Sequence, residues 1–294
     1  IAAVARARNM PVLDLDAKPA RRVPIKQGVV LDHLKVCGAV AEFAYVVSLP
    51  VMKTHMHCGV SLSLKNMKGC LRGREKVRLH QLPPSPDNAG VKTLDLALAD
   101  LATILAPDLA LIDGSVGMQG LGPSAGSQIS PQLVVASTDY LAADAVAAAL
   151  MGFAPEEIMH LRLAAQRGLG VIDVAHIVVD PPDWRDWVTP FERPPQKLSL
   201  EFNGVNVLDR DSCSACLSTV LLFLQRYYAT FADYLPLTLA IGKGHAALPP
   251  DALCIGNCTA VAASGHVVVK GCPPVASDIL QKLQAAQAQR RTRS

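Results

Sequence analysis

The chain has 294 residues, of which 50% are hydrophobic, 18% charged and 4% aromatic, enough apolar material for one large or two medium folded domains. A net charge of +3 does not indicate a polyanion partner, and the few aromatic residues argue against base-stacking nucleic-acid folds, so we expect no nucleic-acid partner. No apolar run reaches the ~18 residues that a membrane span needs, so we expect no membrane partner either.

Short apolar runs alternate with helical periodicity in the first half of the chain. The runs at residues 45–49, 109–112 and 133–136 predict buried strands, because each is short and ends at a turn or a polar residue. Residues 93–105 and 140–151 repeat Leu and Ala at helical spacing and stop before a proline or a glycine, which predicts helices. This alternation predicts an α/β fold, a mostly parallel sheet flanked by helices.

A proline-rich stretch interrupts this pattern and predicts a domain boundary. Residues 181–195 contain five prolines and both tryptophans, a composition that breaks regular structure. We predict an α/β domain over residues 1–180, a linker over 181–196 and a smaller, cysteine-bearing α/β domain over 197–294. The chain begins at Ile1 without a methionine, and we expect a segment of the first domain to precede it.

The C-terminal domain has its own predicted order of strands and helices. The elements are a hairpin or strand at 198–208, a helix at 215–234, strands at 237–241, 253–256 and 266–269, and a final helix from residue 275. We therefore expect the second domain to be α/β as well.

The cysteines are unevenly distributed along the chain. Five of the eight fall between Cys213 and Cys272, which indicates a metal in a reducing, cytoplasmic compartment rather than a disulfide scaffold. Cys213 and Cys216 form a C-x2-C pair at a predicted helix start, and Cys258 and Cys272 each follow a predicted strand. Cys254 lies inside an apolar strand and is the weaker, fifth candidate.

We predict that the four other cysteines of this group hold a 4Fe-4S cluster. Zinc also binds four thiolates, but zinc ribbons usually pair two C-x2-C knuckles. Here one knuckle is combined with two separated cysteines, one of which is followed by proline, and this arrangement is closer to an iron–sulfur pattern. The alternatives are a zinc-stabilised, non-redox binding protein, or thiols that are simply buried as small hydrophobic groups.

A basic segment at residues 49–80 directly follows the first predicted strand. This is the position at which α/β folds place their ligands. Lys53, His55, Lys65 and Asn66 are therefore candidates to bind or protonate an anionic substrate, through cationic side chains and nearby backbone N–H groups.

Two carboxylates are candidates to orient these groups. Asp113 ends a predicted strand, and the glycine-rich residues 114–126 that follow are expected to form a flexible loop. Asp144 is embedded in an apolar helix and needs a partner, for which Lys65 and His55 are candidates, unless one face of the helix is exposed.

The same region allows two other interpretations. His55 and His57, with Asp113 or Asp144, would form a separate metal centre in an enzyme of another class. The basic residues 72–78 are equally consistent with a solvated loop of no catalytic importance.

Several motifs occur in one characteristic order. The series consists of KTH at residues 53–55, LKN at 64–66, IDG at 112–114, GLGP at 120–123 and STDYLAADAV at 137–146. It resembles the domain of unknown function 362 family, and the tail with CSAC, IGNC and GCPP resembles the C-terminal extension of a subset of that family. The resemblance implies an iron–sulfur or redox-associated protein, since some family members carry ferredoxin modules. The compact ferredoxin run C-x2-C-x2-C-x3-C-P is absent here, so a cluster would rest on the dispersed cysteines.

The sequence as a whole thus predicts a cytoplasmic iron–sulfur oxidoreductase or electron-transfer protein. Its partner would be a redox partner or a small anionic substrate.

Overall fold

A computed structural model describes residues 2–83, 85–88, 90–123, 126–194, 202–231, 234–259 and 264–291. These residues form a mixed α/β fold with three sheets that include parallel strands and are flanked by helices, which confirms the predicted fold class. None of the described helices combines the length and the apolar character that crossing a membrane would require.

Strands occur throughout the described part of the chain. They are β1 (Ala20–Pro24), β2 (His33–Cys37), β3 (Val47–Ser48), β4 (Val51–His55), β5 (Gly59–Ser61), β6 (Leu109–Gln119), β7 (Ser127–Ile129), β8 (Leu133–Ser137), β9 (Val205–Asp209), β10 (Leu237–Ile241), β11 (Leu253–Ile255) and β12 (Val267–Val269). The α-helices are α1 (Ala2–Ala7), α2 (Ser63–Asn66), α3 (Glu75–Gln81), α4 (Thr93–Ala102), α5 (Tyr140–Leu150), α6 (Met159–Gln166), α7 (Ser214–Tyr227) and α8 (Ala276–Arg291).

The chain divides into two compact units. The first comprises Ile1–Met52, Val60–Gly117 and Ser130–Pro190, and the second comprises Lys53–Gly59, Met118–Ile129 and Phe191–Ser294. The second unit therefore combines two short segments of the first half of the chain with the C-terminal third. The domain boundaries given above from the sequence remain predictions, and residues 195–196 of the proposed linker lie outside the described residues, as do residues 197–201.

A six-stranded sheet has the order β3-β6-β4-β5, and β7 and β8 also pair with β6. Strands β3 and β6 are parallel, whereas β6 and β8 are antiparallel. The predicted helices over 93–105 and 140–151 are confirmed as α4 and α5, and nearly every residue of both is buried. Asp139 caps α5, because its carboxylate accepts hydrogen bonds from the N–H groups of Leu141 and Ala142 at 2.9 and 3.0 Å.

Strand β6 corrects one prediction. It does not end at Asp113 but continues through the first part of the glycine-rich run to Gln119. Gly114 permits this because neighbouring atoms approach closely: a Cβ built there would lie 2.8 Å from Met52 Sδ and 2.9 Å from the carbonyl oxygen of Leu133. The glycine thus marks close packing between strands and not a flexible loop.

The second unit contains a four-stranded sheet of order β12-β11-β10-β9, in which every neighbouring pair is parallel. Residues of α7 and α8 pack on it, with Phe223 stacked on Phe231 at 4.9 Å between ring centroids. Each fully buried side chain of this kind contributes about 1.5–3 kcal/mol. The predicted strands at 237–241, 253–256 and 266–269 are confirmed as β10, β11 and β12.

Two predicted elements of this unit differ in extent. The helix over 215–234 ends as α7 at Tyr227, and a 3-10 turn follows at Tyr228–Thr230. The hairpin or strand over 198–208 is the single strand β9, while residues 198–201 lie outside the described part of the chain.

Candidate functional site

The four predicted cysteine ligands all lie at the carboxyl edge of the parallel sheet in the second unit. Cys213 follows β9 and precedes α7, which also carries Cys216, while Cys258 follows β11 and Cys272 follows β12. Parallel strands bring their carboxyl ends to the same edge, where open α/β sheets place their ligands. The parallel arrangement of the strands therefore brings cysteines that are distant in sequence to one edge of the sheet.

The first two cysteines form a thiolate–thiol pair at the start of α7. A hydrogen bond from the Cys216 thiol and those from the backbone N–H groups of Ala215 and Cys216 lower the pKa of Cys213 to about 6, although burial opposes the change. The same bond to Cys213, together with burial, raises the pKa of Cys216. The pair therefore favours a thiolate at Cys213, which the N-terminus of the helix also stabilises.

The other two cysteines interact electrostatically with this pair. Burial first, and then the charges of Cys272 and Cys213, raise the pKa of Cys258, while the nearby Lys243 lowers it. Cys258 and Cys272 also contribute to the raised pKa of Cys216. Four sulfurs within electrostatic reach of one another cannot all ionise in isolation, but a bound metal centre would compensate their charges.

Hydrogen bonds join the loops that carry Cys258 and Cys272. The backbone N–H of Asn257 donates to the carbonyl oxygen of Gly271 at 2.9 Å, and the N–H of Gly271 donates to Oδ1 of Asn257, also at 2.9 Å. The N–H of Gly256 donates to the carbonyl oxygen of Val269 at 2.9 Å, and the Thr259 hydroxyl donates to the Gly256 carbonyl at 2.8 Å. Asn257 therefore holds the two loops in a fixed relation to each other.

Glycines keep space beside the thiols. Gly256 has a φ of +92°, and a Cβ built there would lie 3.0 Å from Cys216 Sγ. At Gly271, next to Cys272, a Cβ would lie 2.4 Å from the Cα of Pro274. A side chain at Gly256 would occupy the space beside Cys216 Sγ, so the backbone at Gly256 forms part of the wall around the thiols. In donor chemistry these four thiols suit a thiolate-bound metal centre, for which both an iron–sulfur cluster and zinc use cysteine ligands.

Cys254 occupies a different environment. It is fully buried in β11 and packs with Ala240 and Ala252 in a separate apolar cluster. Burial alone raises the pKa of its thiol. This agrees with its lower rank in the sequence analysis, because a buried, protonated thiol in an apolar cluster behaves as a small hydrophobic side chain.

The KTH segment lies in β4 within the second unit, with Lys53 half-buried and His55 buried. Nδ1 of His55 accepts hydrogen bonds from the N–H groups of His57 and Cys58 at 3.2 and 3.3 Å, so the ring is neutral and its proton is assigned to Nε2. The Thr54 hydroxyl donates to the carbonyl oxygen of Gly120 at 3.0 Å. The KTH and GLGP motifs are therefore in direct contact.

The LKN segment lies in α2 within the first unit, and Asp144 supports it. The buried carboxylate of Asp144 accepts hydrogen bonds from the N–H groups of Ser63 at 2.7 Å and Leu64 at 2.8 Å. Sequence reasoning did not anticipate these backbone partners, and the alternative of an exposed helix face is wrong, because Asp144 is buried. Burial raises the pKa of Asp144 to about 7, although the two backbone hydrogen bonds oppose the shift.

The two remaining predicted site residues are held locally in the first unit. Asn66 donates a hydrogen bond from Nδ2 to the Ser48 hydroxyl at 3.0 Å. Asp113 is exposed, and its carboxylate accepts hydrogen bonds from the Ser115 hydroxyl at 2.5 Å and the Ser115 N–H at 2.8 Å, which lower its pKa. Both bonds join residues two positions apart within β6 and are therefore local to that strand.

Much of the basic stretch at residues 72–78 is engaged in ion pairs within the first unit. Asp16 lies 3.5 Å from Arg72 and 3.3 Å from Lys76, and Glu75 lies 2.7 Å from Arg78. These pairs favour the structural interpretation of this stretch over a role in binding an anion.

Sequence reasoning missed a buried carboxylate–imidazole pair in the first unit. Asp95 in α4 and His160 in α6 lie 3.3 Å apart, and both side chains are almost fully buried. A carboxylate and an imidazole are both groups that can serve as metal ligands. The available signal was a pair of aspartates at positions 95 and 100 inside an apolar helix.

Comparison with known proteins identifies the family. Thylakoid-associated protein sll1697 of Synechocystis sp. (strain ATCC 27184 / PCC 6803 / Kazusa) is 29% identical over 140 residues, which are 48% of this chain and 42% of that protein. The chain thus spans less than half the length of this relative. No solved structure matches the chain. The family described as Domain of unknown function (DUF362) matches residues 1–149, half of the 294 residues, and the chain belongs to this family.

Proposed function

We propose that the second unit binds a 4Fe-4S cluster through Cys213, Cys216, Cys258 and Cys272, and that the protein is an electron-transfer protein or a redox enzyme. The observation that carries this proposal is the collection of four mutually interacting thiols at the carboxyl edge of one parallel sheet. Such a cluster, when bound, passes one electron at a time.

The residues around the thiols have defined tasks in this proposal. The N–H groups at the start of α7 stabilise negative charge on Cys213, and Lys243 does so near Cys258. Asn257 keeps the loops of Cys258 and Cys272 together. Zinc would suit the same four thiolates, but one C-x2-C knuckle with two separated cysteines favours the cluster.

The proposed partner is a redox partner or a small anionic substrate. Lys53 of the second unit and Lys65 of the first each carry a positive charge that can bind an anion, and His55 can donate a hydrogen bond through Nε2. Asp144 acts as a positioning residue, because it binds the backbone of the segment that carries Lys65 and Asn66. None of the eight cysteines forms a disulfide, and we propose a reducing, cytoplasmic location.

Anaerobic purification of the full chain tests the cluster. We expect a brown protein with about four iron and four acid-labile sulfide per chain, and a paramagnetic signal after one-electron reduction. Serine at Cys213, Cys216, Cys258 or Cys272 should sharply lower the iron content. Cys254→Ala is the matched control, since it removes a buried thiol of the same sheet and should leave the iron content unchanged.

Other results of the metal analysis would contradict the proposal. One zinc per chain, without sulfide, would replace it by the zinc-stabilised binding protein. A colourless protein with neither metal would overturn both interpretations. Iron loss in Cys254→Ala equal to that in Cys258→Ser would mean that the ligands are assigned wrongly.

A further inference from the structure

The first unit contains a cavity that both tryptophans of the chain line. Its volume is about 290 Å³, just below the ~300–1,000 Å³ that small-molecule sites occupy. Its walls are β8, one side of α5, residues 177–181 and the 3-10 turn Trp184–Trp187. All of them belong to the continuous segment Ser130–Pro190 of the first unit, so the cavity is independent of the cysteine site.

The walls of this cavity are predominantly apolar. Small side chains on β8 and α5, among them Ala136 and Ala143, leave the space open. Trp184 is buried, whereas Trp187 is 47% exposed and Val178 is 99% exposed. A ligand with a flat apolar body would cover these exposed groups and remove apolar surface from water.

One charged group distinguishes the cavity from a purely hydrophobic one. Asp180 is the only ionisable residue among the described residues that line it. Its side chain is exposed, and within the described part of the chain its carboxylate takes part in no hydrogen bond or ion pair. The guanidinium of Arg185 already lies 4.4 Å from the centre of the Trp184 ring, which leaves the indole of Trp187 for a ligand. Asp180 and Trp187 line the same cavity, and a carboxylate attracts a cation by its charge while an indole ring attracts it through a cation–π interaction.

We propose that this cavity binds a small organic cation with a flat apolar body, such as a protonated arylalkylamine. The apolar walls receive the ring, and Asp180 with Trp187 receives the ammonium group. An anion of the same shape would bring its charge next to the Asp180 carboxylate and bind more weakly.

Tryptophan fluorescence of the full chain tests this directly, because its two tryptophans both line the cavity. Phenethylammonium, phenethyl alcohol and 3-phenylpropanoate serve as cationic, neutral and anionic probes of similar shape. We expect a saturable fluorescence change with the cation, weaker binding of the alcohol and the weakest binding of the anion. Asp180→Asn should weaken binding of the cation about two- to fivefold, as expected for an exposed ion pair, and abolish its advantage over the alcohol.

A second variant tests the cavity itself. Ala136 is exposed on β8 and lines the cavity, so Ala136→Phe should fill the space without disturbing the core and prevent saturable binding. Ala175→Phe is its control, because Ala175 is exposed and does not line the cavity. Binding of the cation to Ala136→Phe with wild-type affinity, equal or tighter binding of 3-phenylpropanoate, or no saturable change with the cation would each overturn the proposal.

Discussion

The surroundings of Asp144 predict how the free energy of unfolding should change with pH when this residue is replaced. Its carboxylate is buried and accepts two backbone hydrogen bonds at the start of α2. In Asp144→Asn one oxygen acceptor is replaced by an NH2 group that cannot accept a hydrogen bond. One buried N–H then loses its partner, which costs about 1–3 kcal/mol of the free energy of unfolding.

The difference in the free energy of unfolding between the wild type and Asp144→Asn should depend on pH. The pKa of Asp144 is raised from 3.8 to about 7 in the folded protein, so the folded state keeps the proton where the unfolded state has lost it. The stabilisation linked to this proton is complete below about pH 4 and is lost as the pH rises to about 7, at ~1.4 kcal/mol per pH unit. The advantage of the wild type over Asp144→Asn should therefore shrink by roughly 2–3 kcal/mol between about pH 5 and pH 7.

Urea unfolding at several pH values from 5 to 8, followed by tryptophan fluorescence, measures this difference. Both tryptophans belong to the first unit, which also contains Asp144. Asp113→Asn is the internal control: its bonds to Ser115 lower the pKa of Asp113 below 3.8, so its contribution is lost only at lower pH, and the difference between wild type and Asp113→Asn should stay constant from pH 5 to pH 8. A difference between wild type and Asp144→Asn that stays constant or grows from pH 5 to pH 8 would refute the reasoning.

Three further substitutions follow from contacts in the structure. Gly256→Ala should lower the iron content of anaerobically purified protein, because its Cβ would lie 3.0 Å from Cys216 Sγ. Gly265→Ala is the control and should retain the iron, because Gly265 has a similar positive φ but no neighbouring atom within 4 Å of the added Cβ. Gly114→Ala should lower the free energy of unfolding in urea by about 1–3 kcal/mol through overpacking, and an unchanged value would contradict the close strand packing. Asp100→Ala should cost about 3–5 kcal/mol in the same assay, because the half-buried Arg167 and three backbone N–H groups lose a buried acceptor, and a loss below ~1 kcal/mol would contradict this.

Local pattern was sufficient for most of the regular elements. Helices α4 and α5 follow from leucine and alanine periodicity that ends at a proline or a glycine, and β10 follows from a short apolar run. The pattern failed at β6, where glycines were read as a loop. A glycine that provides backbone freedom and one that makes room for a neighbouring strand are identical in sequence, and only the neighbours at Gly114 distinguish them.

The surroundings of the predicted site residues could be predicted from the sequence to different degrees. The C-x2-C pair is local, so its position at a helix N-terminus could be predicted from spacing. The partner of Asp144 could not, because backbone N–H groups of Ser63 and Leu64 carry no side-chain signature. The same holds for the pair of Asp95 with His160, whose side chains belong to two helices far apart in the chain.

The sequence by itself determined the family, the α/β class and the identity of the candidate cysteines, because these are written in ordered motifs and in hydrophobic periodicity. Only the tertiary structure decided that Cys213, Cys216, Cys258 and Cys272 interact, that Cys254 belongs to a separate apolar cluster, and that Asp180 and the two tryptophans surround one cavity. The physical reason is that the order of strands in a sheet sets which chain segments meet at its edge, and that order is a property of long-range pairing.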